Sequence, residues 1–539
     1  MEKPVKENKS ERWLGLKGID FDLFFYLRNA NRLVIINGLL MAFPFFTKYI
    51  RKLNSMMLAM TVMFLLVACQ THLQPPNALL TIHLAASCKT TLLAFHEQLQ
   101  QEGILDESTP ALPAFPFLHV NRFLESLTQT IDSEAQANEW YSMTAELGSS
   151  MRAVQNENLA QPWDEQGLAQ LNECADSFIE DPEYQDLRMD IVSTTAITPV
   201  IGDHYNQLQK WIGFFPLLRP FLLQRIHTLH EDEQRWFADT ENFPLSNSYT
   251  PAQNLPLASA KEIKEWLSKA YAQSALGIPQ LDANVLDALF VLHAPKLTIE
   301  HRGNNDLIGS PEWQGGKIVI NNKLPSTYIL PSFARISGRN ILQLNYVFWF
   351  SERKATNLID LYSGAIDSLI WRVNLDEDGQ VFLYDSIHSC GCYHKYFRVT
   401  DDLLIKTVPQ SNEPANIFDV TKINPLGGIN LTLTANEHYL VGMENSQEIP
   451  SIQAPIPYAI QSYDLLSSLP YGTGNRSIFS ANGIIEGTER LERFTLWPTG
   501  IASVGSMRGW GTHATGFIEQ QHFDDAELLD NYFELQDRK

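Results

Sequence analysis

The stretch SLIWRVNLDEDGQVFLYDSI, residues 368–387, decides how the C-terminal part of this chain is read. Two runs rich in β-formers, Ser368 to Leu375 and Gln380 to Ile387, flank Asp376-Glu377-Asp378-Gly379. The Asp-Gly pair supplies the positive φ that a tight turn between antiparallel strands demands, so the segment is expected to form a hairpin. Just upstream, Leu342, Leu344, Tyr346, Phe348 and Phe350 alternate with Gln343, Asn345, Val347 and Trp349, the period of two that marks a strand. Further short strands are expected at Ile429–Thr434 and Leu491–Leu496.

Working backwards from Pro295, the period changes to that of helices. Leu79, Leu80, Ile82, Leu92, Leu93, Phe95 and Leu99 recur at spacings of three and four. Ser259-Ala260-Lys261-Glu262 is a capping box opening a helix with Ile263, Trp266, Leu267, Ala270 and Tyr271 on one side. Asp282 is expected to cap the next helix, with Val285, Leu286, Leu289 and Phe290 inward. Pro216 and Pro220 are read as breaking a helix pair, and Glu241 to Pro256 as a connector. The fold class expected is therefore α+β, with a mostly helical N-terminal half followed by a largely antiparallel β C-terminal domain. The divisions expected are a leader over 1–68, a polar tether over 69–77, a helical domain over 78–293 and a β-rich domain over 294–539.

Composition narrows the function. The 539 residues carry 40 Lys and Arg against 62 Asp and Glu, a formal net charge of −22. Nucleic acid is excluded as a partner, because its binding rests on neutralising phosphates with basic side chains. The five cysteines are too few for a disulfide scaffold in a chain this long. The charge is also uneven: residues 1–68 hold ten basic and five acidic side chains, and the rest hold 30 and 57.

That basic leader contains MMLAMTVMFLLVA, residues 56–68, preceded by Lys48, Arg51 and Lys52 and followed at once by Cys69. An apolar run of 13 is shorter than the roughly 20 residues a spanning helix needs. A basic flank, a short apolar core and small residues at the exit describe an export signal instead. Leu66-Val67-Ala68-Cys69 resembles the lipobox of bacterial lipoprotein signals. The resemblance covers about 20 residues and implies thioether lipidation of Cys69, cleavage before it and acylation of the new terminus, with palmitate-class chains as the anchor. It further implies a cell-envelope location, with the membrane as partner through the N-terminal lipid. Gln70 stands where lipoproteins retained at the inner membrane often carry Asp, so a periplasm-facing outer-membrane position is favoured by the same resemblance. The signal begins unusually deep in the chain. Either the start codon is over-called, with translation from Met41 or Met56, or Leu33–Phe46 and Met56–Ala68 form a two-segment anchor. The body resembles uncharacterised bacterial lipoproteins and implies no reaction.

The densest cluster of reactive side chains is His388-Ser389-Cys390-Gly391-Cys392-Tyr393-His394. In an extended chain His388, Cys390, Cys392 and His394 would share one face. Thiolate with imidazole is the ligand set of zinc, or of copper where soft sulfur dominates. Four such ligands would spread over roughly 20 Å at about 3.3 Å per residue, whereas donors to one zinc ion lie within about 4 Å of each other. Either the segment curls at Gly391, or Cys390 and Cys392 with one flanking histidine are completed by His513 or His438. Nearby charges at strand margins, Glu352, Arg353, Asp360, Asp367, Arg372 and Asp385, either serve a bound water or solvate turns and pair with arginine. The Gly-rich stretch Trp497–Gly516, with Arg508, Trp510 and His513, matches no phosphate-binding pattern and reads as a bend joining strands. No zincin HExxH and no GxSxG elbow occurs.

Three functions remain open: a metal-binding envelope lipoprotein holding zinc or copper, a non-catalytic envelope scaffold or interaction protein, and a thiol–disulfide redox protein using Cys390 and Cys392. Apart from Cys69, the remaining cysteines Cys88, Cys174, Cys390 and Cys392 would pair in an oxidising compartment in an order that sequence does not give.

Overall fold

In the computed structural model, residues 86–539 are described except for 105, 107, 113–114, 181–200, 239–244, 254–257, 447–453 and 537–539. The leader and Cys69 lie outside the described residues.

The first described elements build a core of their own. Helix α1 (Ala86–Glu102) precedes a two-stranded ribbon, β1 (Ala111–Leu112) and β2 (Phe115–His119), then α2 (Arg122–Leu127), α3 (Glu134–Glu157) and α4 (Glu165–Glu180). Asn121 and Ser133 start α2 and α3 by accepting the backbone N–H of Leu124 and Gln136 on their side chains. Leu92, Phe95 and Leu99 of α1 meet Phe115 and Phe117 of β2, Trp140 and Tyr141 of α3, and Phe178 of α4. Cys88 and Cys174 are disulfide-bonded, so α1 and α4 are joined covalently across 86 positions.

Two more helices follow, α5 (Gln207–Ile212) and α6 (Phe215–Ala238). The prolines do not separate a pair here. Pro216 lies in the first turn of α6, where no backbone partner is lost, and Pro220 is carried inside the same helix. The segment read as a connector contains a strand, β3 (Ser246–Pro251), and the chain continues through α7 (Ala260–Ala272), α8 (Ala283–His293) and β4 (Lys296–Glu300).

From there strands dominate: β5 (Ile308–Gln314), β6 (Lys317–Asn321), β7 (Ser326–Ile336), β8 (Arg339–Arg353), β9 (Gly364–Leu375), β10 (Val381–Ile387) and β11 (Lys395–Arg398). Then come β12 (Leu403–Ile405), β13 (Ile417–Asp419), β14 (Ile429–Leu433), β15 (Leu440–Asn445), β16 (Ile456–Ser462), β17 (Leu469–Tyr471) and β18 (Gly474–Arg476). A one-turn helix α9 (Arg493–Leu496) and β19 (Phe533–Leu535) complete the set. The expected strand over Leu491–Leu496 is thus that short helix.

Eleven strands run in the order β13-β11-β10-β9-β8-β7-β16-β3-β4-β14-β15, with β5 and β6 branching from β8. The expected fold class needs correction on this point. The sheet is mixed: β7 to β11 pair antiparallel, but β11 with β13, β7 with β16, β16 with β3 and β4 with β14 pair parallel. Nor does a helical half precede it as a separate layer. Strand β3 sits between β16 and β4 inside the sheet, and Ile263, Leu267, Leu289 and Phe290 of α7 and α8 lie in the core that covers one sheet face. The nine α-helices among the described residues and the sheet belong to one compact unit, Ala78–Lys539. Local periodicity tells a strand from a helix; it does not tell which distant strand becomes its neighbour.

The period of two in β8 and β9 has a clear physical meaning. Leu342, Leu344, Tyr346, Phe348, Phe350, Leu369, Trp371, Val373 and Leu375 face the core under α7 and α8, while Val347, Trp349, Ile366 and Ile370 face a second core on the other side. Both faces are buried, and each large side chain so enclosed contributes roughly 1.5–3 kcal/mol relative to exposure. The hairpin of residues 368–387 forms as expected: Gly379 has φ +74°, and its N–H donates to the Asp376 carbonyl at 2.9 Å.

The capping box at α7 is also as expected. Ser259 Oγ accepts the Glu262 N–H, and the Glu262 carboxylate accepts the Ser259 N–H at 2.8 Å. Ser259→Ala is expected to destabilise the protein by about 1 kcal/mol, and urea unfolding monitored by circular dichroism would register it.

Candidate functional site

Strand β10 ends at Ile387 and β11 begins at Lys395, with Ser386 opposite Lys395. Residues 388–394 are therefore a hairpin loop, curled and not extended. The His388 N–H donates to the Cys392 carbonyl at 3.0 Å and the Gly391 N–H to the His388 carbonyl at 2.8 Å. Gly391 has φ +86°, and a Cβ there would stand 2.2 Å from the Ala514 carbonyl oxygen. Only glycine satisfies both conditions. The curl brings the two thiols into hydrogen-bonding contact; both are buried and not disulfide-bonded. The hydrogen bond that the Cys392 thiol makes to Cys390, together with burial, holds its pKa well above the ordinary value, so it is protonated at neutral pH.

The four histidines in and around the loop divide among three places: His388 and His438 at Asp367, His394 at Asp385, and His513 beside Arg508. Asp367, on β9, is the first hub. Its Oδ2 lies 2.8 Å from His438 Nδ1, its Oδ1 3.5 Å from His388 Nδ1 and 3.5 Å from Arg490 Nη2. The His438 ring stacks on Phe350 at 3.8 Å between centroids, and its Nε2 is 3.1 Å from the Asn305 carbonyl. Burial alone would raise the Asp367 pKa, but the hydrogen bonds and charges of His388 and His438 hold it well below the usual carboxylate range. Burial lowers the pKa of His388, more than Asp367 restores.

Asp385, on β10, is the second hub. It stands directly opposite Arg372 of β9 in the hairpin register. Arg372 Nε donates to Oδ1 at 2.9 Å, Asn374 Nδ2 donates to Oδ1 at 2.9 Å, and His394 Nε2 lies 3.0 Å from Oδ2. The guanidinium also donates to the Phe523 carbonyl at 2.7 Å and stacks 3.7 Å above the Phe523 ring. Burial opposes ionisation of Asp385, but Arg372 and His394 outweigh it and bring the pKa down to about 2.

The Gly-rich C-terminal segment packs on the loop from the other side. The Arg508 N–H donates to the Ser389 carbonyl at 3.0 Å. The buried Arg508 guanidinium donates from Nη2 to the Ala502 and Ser503 carbonyls, while Nε and Nη1 have no hydrogen-bond partner among the described residues. His513 is buried, and its ring approaches the Arg508 carbonyl without a full hydrogen bond from either nitrogen. Burial, then Arg508 and His204, push its pKa down to about 3, so the ring is neutral.

Of the five sequence candidates, four lie along the loop 388–394 and His513 comes from the C-terminal segment, and they do not form one ligand set. Cys390 and Cys392 meet each other, His388 is held by Asp367, His394 by Asp385, and His513 lies by Arg508. Among the described residues, no three His, Cys, Asp or Glu side chains are grouped to hold a metal ion. Two cavities of about 460 and 550 Å³ are lined by residues other than these five.

Several participants carried no sequence signal. Arg490 arrives from an irregular segment far along the chain. Lys395 forms a buried pair with Glu233 of α6 at 3.0 Å, and Tyr439 donates its hydroxyl to Tyr393 at 2.9 Å. The Arg372–Asp385 pair was not readable from the Asp-Gly turn alone, because an irregularity between Val381 and Leu383 shifts the register by one residue before those two side chains come opposite each other.

Compared with known proteins, the chain matches no family model, no curated protein sequence and no solved structure.

Proposed function

We propose that this chain is an exported protein held at a bacterial cell-envelope membrane by a lipid on Cys69, and that the loop 388–394 serves as the buried joint of its body. The observation that carries this reading is the Cys88–Cys174 disulfide, which begins 19 residues after Cys69 in the sequence. Disulfides persist in the periplasm and other oxidising compartments and are rare in the cytosol. The basic leader and the Leu66–Cys69 motif support the same compartment from the sequence side. As a joint, the loop ties β10 and β11 to β9, to the Arg490 segment and to the 508–514 segment through groups that are almost wholly buried. The paired part of this network, Asp367 with His388 and His438 and Asp385 with Arg372, Asn374 and His394, is the part that restricts the packing.

The test is intact-mass and peptide mass spectrometry of the protein purified from membranes. The expected chain begins at Cys69, carries a diacylglyceryl thioether and an N-acyl group, and contains one disulfide and two thiols. A chain that keeps its leader and has a free thiol at Cys69 overturns the reading.

One observation favours a second reading, in which Cys390 and Cys392 hold zinc or copper: their sulfurs are already in contact. His388 and His394 give it no support, since among the described residues neither is grouped with the two thiols to hold an ion. Elemental analysis decides it. Stoichiometric metal that disappears in Cys390→Ser with Cys392→Ser would establish the site, and a metal-free protein would dismiss it.

A further inference from the structure

We propose that a face built from α5, the start of α6, the 354–362 segment and residues 491–497 docks flat on an anionic phospholipid bilayer. The proposal extends the lipid-anchor reading but stands on separate observations.

Three stretches remote in sequence expose large apolar side chains at one place. On the α5–α6 corner Trp211 is 84% exposed, Phe214 69%, Leu217 70% and Phe221 69%. Leu358 is fully exposed and Ile359 71%, and Phe494 and the partly exposed Trp497 add two more rings. Backbone contacts show that these stretches adjoin. The Asn206 N–H donates to the Gly500 carbonyl at 2.7 Å, and a Cβ on Gly213 would collide with Pro498. The Glu492 N–H donates to the Leu361 carbonyl at 3.0 Å, which joins the 354–362 segment to the same surface. Soluble surfaces scatter such residues singly; contiguous apolar patches mark a docking site.

Charge selects the occupant. Residues 204–230 contain no Asp or Glu but include Lys210, Arg219 and Arg225, in a chain with 62 acidic residues, and Arg493 stands beside Phe494. The α5–α6 corner, with three basic and no acidic side chains of its own around exposed Trp, Phe and Leu, has the composition of surfaces that lie in the headgroup region of anionic membranes, while Asp203 and Glu413 stand near Lys210 and Glu519 near Arg219. The strongly acidic remainder of the protein is repelled by the same lipids, which fixes the orientation. No helix among the described residues is long and apolar enough to cross a membrane, so the face lies on the bilayer.

The test uses the full mature chain reconstituted in phosphatidylethanolamine–phosphatidylglycerol vesicles, with an environment-sensitive fluorophore on Phe214→Cys or, as control, Lys261→Cys. Lys261 is one turn from Lys264, which pairs with Asp378 in the β9–β10 turn. That turn is about 40 Å of strand, at roughly 3.3 Å per residue, from the 354–362 end of β9. Spin-labelled lipid is expected to quench the label at 214 at least threefold more than the label at 261. Adding Lys210→Glu and Arg225→Glu is expected to remove more than half of that quenching. Equal quenching at both positions overturns the proposal, as does a label at 214 that becomes shielded with rising protein concentration in the absence of lipid, because a second copy then covers the face. Mass analysis of Cys69 on the same sample separates the two readings: quenching at 214 in an unlipidated chain retains the face and discards the anchor.

Discussion

Asp385→Asn is expected to destabilise the folded protein by about 3–5 kcal/mol, the range measured when one partner of a buried ion pair is removed. The carboxylate accepts from Arg372, Asn374 and His394 at once, and all of these groups are buried or nearly so. An amide in its place turns one acceptor into a donor that faces other donors, and leaves the Arg372 charge with one neutral amide oxygen beside the Phe523 carbonyl and ring. The double variant Arg372→Met with Asp385→Leu removes both charges and is expected to recover most of the loss, because the cost lies in the unpaired charge more than in the absent pair. Equilibrium denaturation of the three variants checks this, and an Asp385→Asn loss under 1 kcal/mol would show that the cation has found water or another acceptor.

The same pair predicts a pH dependence with a definite sign. The folded pKa of Asp385, about 2, is below its unfolded value, so the ionised form stabilises the fold at every pH above the unfolded value near 4. As pH falls from about 4 to 2 that contribution, about 2 kcal/mol, is lost. Buried histidines act in the same direction at higher pH. His513, pushed down to about 3 by burial, remains neutral in the fold while its unfolded counterpart takes up a proton below about pH 6.5, so acidification favours the unfolded chain. Glu413 and Glu492 oppose this. Their folded pKa values are raised to about 7, by burial, and the stability they contribute at low pH disappears as pH rises to that value.

What the sequence could disclose follows from the range of each interaction. The residue 368–387 hairpin, the alternation in β8 and the Ser259 capping box are settled by contacts within about twenty positions, and all three are present. The parallel pairings of β3 with β16 and β4 with β14 join segments more than a hundred positions apart, and no periodicity records them. The loop 388–394 shows the same division. Its Cys-Gly-Cys spacing and the permissive Gly391 were visible, but an extended reading put His388 and His394 on one face with the thiols. The extended face became a curl once the Ala514 carbonyl packed against Gly391 and two carboxylates on β9 and β10 took the rings. Asp367 and Asp385 looked like ordinary charges at strand margins because their partners, Arg490 and His438 for one and the cross-strand Arg372 for the other, become neighbours only in the folded sheet.

Cys88→Ala with Cys174→Ala is expected to cost about 4.5 kcal/mol on chain entropy, since a cross-link closing a loop of this length removes that much freedom from the unfolded chain. The bridge spans 86 positions and encloses β1, β2, α2, α3 and most of α4. The two alanines leave little void, because Cys174 packs as a small apolar group beside Phe178 in the first core, and the loss therefore reports on the cross-link more than on packing. Reductant added to the unmodified chain is expected to lower the denaturation midpoint by a similar amount and to leave the double-alanine variant unmoved, since Cys390 and Cys392 are not cross-linked. The prediction bears on location as well as stability. A chain retained in the reducing cytosol would lose the bridge and most of that margin, out of the 5–15 kcal/mol or so that typical domains possess, while the exported chain would keep it. Expression with and without residues 1–68, followed by limited proteolysis, should find the region between Cys88 and Cys174 protected only in the exported form; equal protection in both would mean that the helices of this region hold together without the bond, and that export confers no structural advantage on them.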